Sequence, residues 1–522
     1  MLLKAPSKVY PMSGGSSVNS SATHVASEYG QESKSDFGSP PGTPNTLVPV
    51  QSHSSRRGFD VADDHYEESE AKQYEQFSPA RKVLILCILS YCAFLAPISS
   101  TAMLSAVPEI AKTYQTTEEI INASTALYLA FMGLSALFWG PLSQVCGRRP
   151  ILIASSVLFF LFTIGTTLSP NLTSYFILRV LTAFQGTSFL VVGSSAVGDI
   201  YEPKSRATAL GWVTSGSLVG PAVGPFLGGA VITFRPWTAI FWLLTAMNGL
   251  AAAVIILFFP ETIPSKSNTD FAGQSVPRQA KLLWHRINPI RVFSLYASYP
   301  NLFWTGLAAG ALVWNQYALL TPIRPVLNPR FNLTSPVQAG LFYLAPGAGF
   351  LAGTFVGGRW ADYVVQKYIA RRNGLRIPED RLRSCLIFIC VLTPGSILIY
   401  GWSLDQDVGG IPVPVAFMFL QGVFQLFCQP SLNTYCLEVL KGRGAEVVAG
   451  SYLFRYVFAA LGTGVALPAI QEMGVGWFNT LSGLFLVLAG AMVWLTAEFG
   501  PRWRENVDLK CEEKVARRKG LA

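Results

Sequence analysis

From residue 83 onward the chain is a succession of apolar runs, each close to the ~20 residues that carry a helix across a ~30 Å hydrocarbon layer. The runs fall at 83–104, 121–142, 150–168, 173–198, 207–232, 237–259, 301–321, 337–357, 384–402, 412–436, 447–470 and 475–497, in two groups of six. Hydrocarbon offers no partner to a backbone N–H or C=O, so each segment must pair its own, and helices are the expected element. The alternating ~10-residue segments of a membrane β-barrel are not found. Composition agrees: 51% of the 522 residues are hydrophobic and 13% are charged, about half the charged fraction usual in soluble proteins. The expectation is an all-α membrane protein of 12 transmembrane helices in two six-helix halves.

Polar stretches divide the chain. Residues 1–80, rich in Ser, Gly, Pro, Glu and Lys, read as a disordered cytosolic tail. It holds no apolar segment of the secretory kind. Its Ser39-Pro40, Thr43-Pro44 and Ser78-Pro79 steps are candidate phosphorylation sites in what is otherwise a solvated tail. A first six-helix bundle is expected over 81–260, a cytosolic central loop over 261–298, a second bundle over 299–499 and a cytosolic tail over 500–522. Lys and Arg set the orientation. One set of connections carries Arg148, Arg149, Lys204, Arg206, the central loop, Arg371, Arg372, Arg376, Arg381, Arg383, Lys441 and Arg443, whereas the other offers Lys112, Arg235, Arg324 and Arg330. Both termini are therefore expected in the cytosol, and a plasma-membrane location is expected.

The net charge of +9 follows from this asymmetry. No basic patch interleaves with exposed aromatics, so no nucleic-acid partner is expected. The sequon at Asn332 lies in an outward loop, where glycosylation is permitted. Eight cysteines lie in spans or on the cytosolic side, with no CxxC and no Cys/His cluster, and the chain has only four histidines. No metal site, cofactor or catalytic constellation is expected. A membrane-embedded enzyme would need clustered His, Asp or Cys within the spans. The lipid bilayer and a small molecule are the expected partners, and a monomer is the expected state.

The fifth run is unusual. GWVTSGSLVGPAVGPFLGG, residues 211–229, carries Gly211, Gly220, Gly224, Pro225, Gly228 and Gly229 in the pattern G-x8-G-x3-GP-x2-GG. Small residues let a neighbouring backbone come close, and proline removes a hydrogen bond and kinks the span. A bent helix at a tight helix–helix seam is expected. The full pattern resembles motif C of the antiporter branch of the major facilitator superfamily. GPLSQVCGRRP, residues 140–150, is similar to that family's motif A: Gly140 and Gly147 match its turn glycines, Arg148 and Arg149 its cationic pair. The family's usual acid and base there are Gln144 and Val145 here, which weakens or rebuilds any charge relay at this loop. GGRWADYVVQK, residues 357–367, repeats the element in the second half and keeps the acid as Asp362. Arg179, with Gly186 seven residues on, is placed like the motif B arginine, although Ala183 stands where a glycine is usual. GDIYEPKSRATALG (198–211) and PET (260–262) resemble the loop between spans four and five and the end of span six. FNLTSPVQAGLFYLAPGAGF (331–350) and PEDRL (378–382) resemble a fungal subgroup of drug:H+ antiporter family 1 that includes quinidine and multidrug resistance exporters and an itaconate exporter. The resemblance implies two half-bundles rocking about a midplane site, proton coupling, and gating at Gly140, Gly147, Arg148, Arg149, Asp199 and Asp362.

What the midplane site holds is a matter of charge. Charged groups inside spans are costly and mark function. Arg179 in span four and Arg455 in span eleven lie well inside, whereas Asp199, Asp362, Glu438 and Glu498 all sit at cytosolic ends. The first span, where the family often has an acid suited to cationic drugs, has Ser, Thr and Tyr as its polar groups. Two embedded arginines suit an anion, because a guanidinium stays charged and grips a carboxylate through two parallel hydrogen bonds. A small organic acid is the expected cargo, with Arg179 and Arg455 among its contacts; a structural or proton-coupling role stays open for Arg179. Gln421 and Gln425, one helical turn apart and followed by Gln429, share a face of span ten. With Asn315, Gln316 and Tyr343 they are candidates to line the cavity or to bond between helices. An inside-negative potential favours anion exit by ~2.3 kcal/mol per charge per 100 mV. The alternative is a broad-specificity multidrug:proton antiporter.

Overall fold

The structure, a computed structural model, describes residues 76–263, 288–332, 336–374, 377–440 and 443–518. Most of the amino-terminal tail and the central loop, with their expected disorder and phosphorylation sites, lie outside the described residues. Twelve long helices follow one another among the described residues. They are α1 Pro79–Thr101, α2 Glu118–Cys146, α3 Arg148–Thr167, α4 Leu172–Ile200, α5 Arg206–Phe234 and α6 Thr238–Phe258. The second half has α7 Pro300–Leu320, α8 Pro336–Arg371, α9 Phe388–Asp405 and α10 Pro412–Glu438. The last helix, Gly444–Arg518, is broken at Gly474, which has φ 84 and ψ 163, giving α11 (444–473) and α12 (475–518). Ten segments are long and apolar enough to cross a membrane by length and composition. Dividing the last at Gly474 and adding α7, whose Asn301, Asn315 and Gln316 make it more polar, gives the twelve.

Glycines decide how these helices meet. Along α5, Gly216, Gly220, Gly224 and Gly228 recur every fourth residue and face α1. A Cβ on Gly220 would lie 2.9 Å from Phe94 O, and one on Gly224 2.5 Å from Thr101 Oγ1; Gly216 and Gly228 press on the carbonyls of Ser90 and Ala102. Pro221 and Pro225 lie inside the same helix. Gly229 is buried, and Gly211 turns the other way, toward Pro430 and Gly358 of the second half. Gly216, absent from the motif pattern, was signalled by its spacing of four from Gly220. The second half uses the same device on α8, where a Cβ on Gly353 would lie 2.7 Å from Leu426 Cβ and from Val423 O of α10, with Gly349 and Gly357 one turn to either side.

Two motif elements differ from their reading as loops. GPLSQVC belongs to α2 and GGRWADYVVQK to α8, which runs to Arg371, well past the expected end at 357. Gly140 is thus a contact glycine and not a turn glycine: a Cβ there would lie 2.7 Å from Ala445 O of α11. Gly147 is the turn residue, with φ 97 between α2 and α3. Asn332 is exposed, with φ 51, at the end of the bundle opposite the basic loops; the other two residues of its sequon lie outside the described residues. The halves join where α5 packs on α8 and α2 on α11.

Candidate substrate site and gate

Polar side chains on α10 and α7 form a chain that crosses the seam. Gln421, Gln425 and Gln316 are all buried. Gln421 Nε2 donates to Gln425 Oε1 at 2.9 Å, Gln425 Nε2 to Gln316 Oε1 at 3.1 Å, and Gln316 Nε2 to Leu218 O of α5 at 3.2 Å. Three amides of the second half thus end on a backbone carbonyl of the first. One turn further along α10, Gln429 is buried with neither amide atom partnered among the described residues. Asn315 faces elsewhere: its Nδ2 donates to Ala311 O at 2.9 Å and to Ser482 O of α12 at 3.3 Å. Tyr343 lies in the apolar cluster of Leu319, Tyr400, Met418 and Ala466.

The two arginines occupy different settings. Arg179 is 2% exposed. Its guanidinium donates to Ser99 O and Ser100 O of α1 at 3.3 and 3.4 Å and lies 4.8 Å from the Tyr128 ring, 5.9 Å from that of Tyr175 and 6.0 Å from that of Phe241. All of these groups belong to the first half. Arg455 is 3% exposed and lies at the seam. Its Nη2 donates to Asn433 Oδ1 of α10, and Asn433 Nδ2 donates to Thr214 Oγ1 of α5 at 3.0 Å. The guanidinium sits 4.9 Å over the Tyr452 ring, and the Tyr452 hydroxyl meets Ser194 Oγ of α4 at 3.0 Å. Both groups that hold Arg455 are therefore tied to the opposite half. Among the described residues neither arginine is ion-paired with a carboxylate, and the Nε of each is unpartnered.

At the basic end the halves are fastened by charge. Asp362, on α8, caps α5 of the other half. Its oxygens accept from Ala207 N at 3.3 Å, Thr208 N at 2.9 Å and Thr208 Oγ1 at 2.6 Å, at the helix end where the dipole favours an anion. Arg381, fully buried, donates to Asp362 Oδ1 at 3.2 Å, to Glu438 Oε1 at 2.9 Å and to Pro203 O across the seam. Arg206 approaches Glu438 at 3.9 Å from the first half. In the sequence Arg381 and Arg206 read as topology charges; their pairing depends on folded geometry that no local pattern carries.

At the corresponding place on α2 the charges pair within one half. Gly358 is followed one turn later by Asp362, and Gly140 by Gln144. Glu446, in the first turn of α11, pairs with Arg443 and, at 3.6 Å, with Arg291, neither of which belongs to the first half. Arg148 donates to Asp199 Oδ2 at 3.1 Å and to Ser143 Oγ at 2.6 Å, and its backbone N–H to Glu261 Oε1 at 2.9 Å. Arg149 points outward to Ile256 O.

A bundle of twelve helices in two six-helix halves is the fold that the apolar runs and the motif resemblance imply. Residues 89–463, well over half of the chain, match the sequence profile of the Major Facilitator Superfamily. The chain belongs to the major facilitator superfamily. This facilitator is a transporter and not an enzyme. It is 24% identical to the MFS antiporter QDR3 of Candida albicans, over 82% of this chain and 79% of that one. It is 22% identical to Citrate exporter 1 of Aspergillus niger, over 86% and 91%. The crystal structure of the human organic anion transporter MFSD10 superposes with a TM-score of 0.61 at 15% identity, covering 80% of this chain and all of that one, which shows the shared facilitator fold. These relatives in sequence are fungal, in keeping with the fungal antiporter subgroup that the motifs of this facilitator resemble.

Proposed function

We propose that the protein exports a small organic acid, itaconate-like or a related metabolite, across the plasma membrane by alternating access, with the basic end in the cytosol. The observation that carries this reading is Arg455: a buried cation on the seam, without a carboxylate partner among the described residues, held by Asn433 and Tyr452. A carboxylate offers that guanidinium two strong acceptors. Gln429, one turn from Asn433 on α10, and Gln425 beyond it supply donors and acceptors for the rest of the molecule. Arg179, whose partners all belong to the first half, we read as a positioning residue that braces α1 against α4. Similarity to a protein named as a citrate exporter supports the cargo class.

Because the same Asn433 amide bonds Thr214 of the other half, cargo that takes Arg455 away frees its Oδ1 and leaves the amide able to reorient against that tie. Binding and rocking are thereby coupled. The second reading, a multidrug:proton antiporter, is favoured by the uncharged amide chain and by similarity to QDR3. Release of citrate and itaconate by cells expressing the protein, measured beside extrusion of a cationic dye, separates the two. Acid release above the vector control without dye extrusion supports the first reading; dye extrusion without acid release supports the second.

A further inference from the structure

One carboxylate belongs neither to the seam nor to the gate. Glu379, in the turn between α8 and α9, is 1% exposed. Its Oε1 accepts from the Tyr435 hydroxyl of α10 at 3.5 Å and faces Arg504 Nη1 of α12 at 3.4 Å; its Oε2 has no partner among the described residues. The Tyr435 hydroxyl in turn accepts from Asn301 Nδ2 of α7 at 2.9 Å. Asp362 shows what a fully hydrogen-bonded carboxylate looks like here, with two donors on each oxygen. Asp380, beside Glu379, has Arg372 at 2.7 Å and Arg383 at 3.9 Å. Glu379 has two long contacts and a bare oxygen. A buried acceptor without a donor is costly, and protonation turns that oxygen into a donor and removes the charge.

We propose that Glu379 binds and releases a proton at the basic end, and that Tyr435 conveys its state to the seam. The step is one proton moving between water at that end and Oε2; no other bond changes. Arg504, a quarter exposed on its side chain, is a cation that contacts the carboxyl and also reaches solvent. When Glu379 is charged it draws in both Arg504 and the Tyr435 hydroxyl; when neutral it frees Arg504. Tyr435 lies two residues from Asn433, the amide that joins Arg455 to Thr214, so a shift of α10 at Tyr435 bears directly on the seam. The charged and titratable groups around Glu379 are Arg504 from α12, Tyr435 from α10 and Asp380 from its own turn. Burial pushes the Glu379 carboxyl above the usual glutamate range, and Arg504 opposes this.

The proton site itself is independent of the export reading, and what the proton is coupled to rests on that reading. Difference infrared spectroscopy of the purified full-length protein across a pH titration reads protonated carboxyl groups directly. A titrating carboxyl band is expected that Glu379→Gln removes and Arg504→Gln shifts to higher pH, the direction expected when a nearby cation is lost. The same band, undiminished in Glu379→Gln, would overturn the proposal. If Glu379→Gln does not fold, Glu379→Asp and Arg504→Gln carry the titration: each must move the band, and two unmoved bands would equally overturn it. In liposomes, citrate exchange by the wild type should vary with pH, and the Glu379→Gln profile should be flat, with Glu379→Asp restoring the dependence. A wild-type profile in Glu379→Gln contradicts the coupling role. Absence of citrate exchange by the wild type counts against the export reading alone, because the infrared result stands without it.

Discussion

A single guanidinium carries most of the functional argument, and its surroundings say why a neutral substitute should fail. Arg455 gives its partners a charge that Gln cannot, and hydrogen bonds to charged groups are worth about 1.5–3 kcal/mol. Arg455→Gln should therefore raise the apparent KM for citrate release roughly 10- to 100-fold, whereas Arg179→Gln should lower the yield and melting temperature of the folded protein more than it changes KM. Glu379 has the opposite electrostatic character: burial raises its carboxyl above the usual glutamate range, against the pull of Arg504. Its carboxyl is held above the range it has in the unfolded chain, so its contribution to stability is present at low pH and is lost as pH rises through the folded value. Melting temperature in detergent should fall over that interval in the wild type, and the Glu379→Gln variant should lack that component.

At the level of helices, close approach is bought with glycine, and the account stands or falls on the α5–α1 stripe. A side chain at Gly220 meets the Phe94 carbonyl and the Ile98 amide at 2.9 Å, backbone atoms that do not swing aside. Overpacking of this kind costs about 1–3 kcal/mol, so Gly220→Leu should lower the melting temperature markedly. Gly395→Ala, where nothing lies within 4 Å, should leave it unchanged or slightly raised. The twelve helices and a tight glycine seam on α5 were legible because hydropathy and small-residue spacing are local properties of sequence; the pairing of α5 with α8 and of α2 with α11 was not, because distant segments make it. The full length of α8 was not, because its second half carries Arg359, Asp362 and Lys367 and breaks the apolar run, while the backbone continues as helix to Arg371. Nor was the contact role of Gly140, which exists because α11 happens to pass at that point. Gln421 and Gln425 were readable as one face; the turn of Asn315 toward Ser482 needed the packed bundle.

For the whole molecule, the described conformation is one in which the basic end is locked across the seam by Asp362 on α5, by Arg381 on Pro203 and by Arg206 beside Glu438. Removing one member of a buried ion pair costs about 3–5 kcal/mol because the remaining charge is stranded. Asp362→Asn should thus weaken the lock, and spin labels at the exposed Lys204 and Lys367 positions should report a longer and broader distance distribution than in the wild type. An unchanged distribution would mean that the lock does not hold the gate. The central claim is that an electropositive seam receives the carboxylate of a small acid. The most direct measurement is equilibrium binding of citrate and itaconate to the purified protein, wild type against Arg455→Gln. The account predicts binding of at least one of these acids that the substitution weakens at least tenfold; binding of equal strength in the two proteins would contradict it.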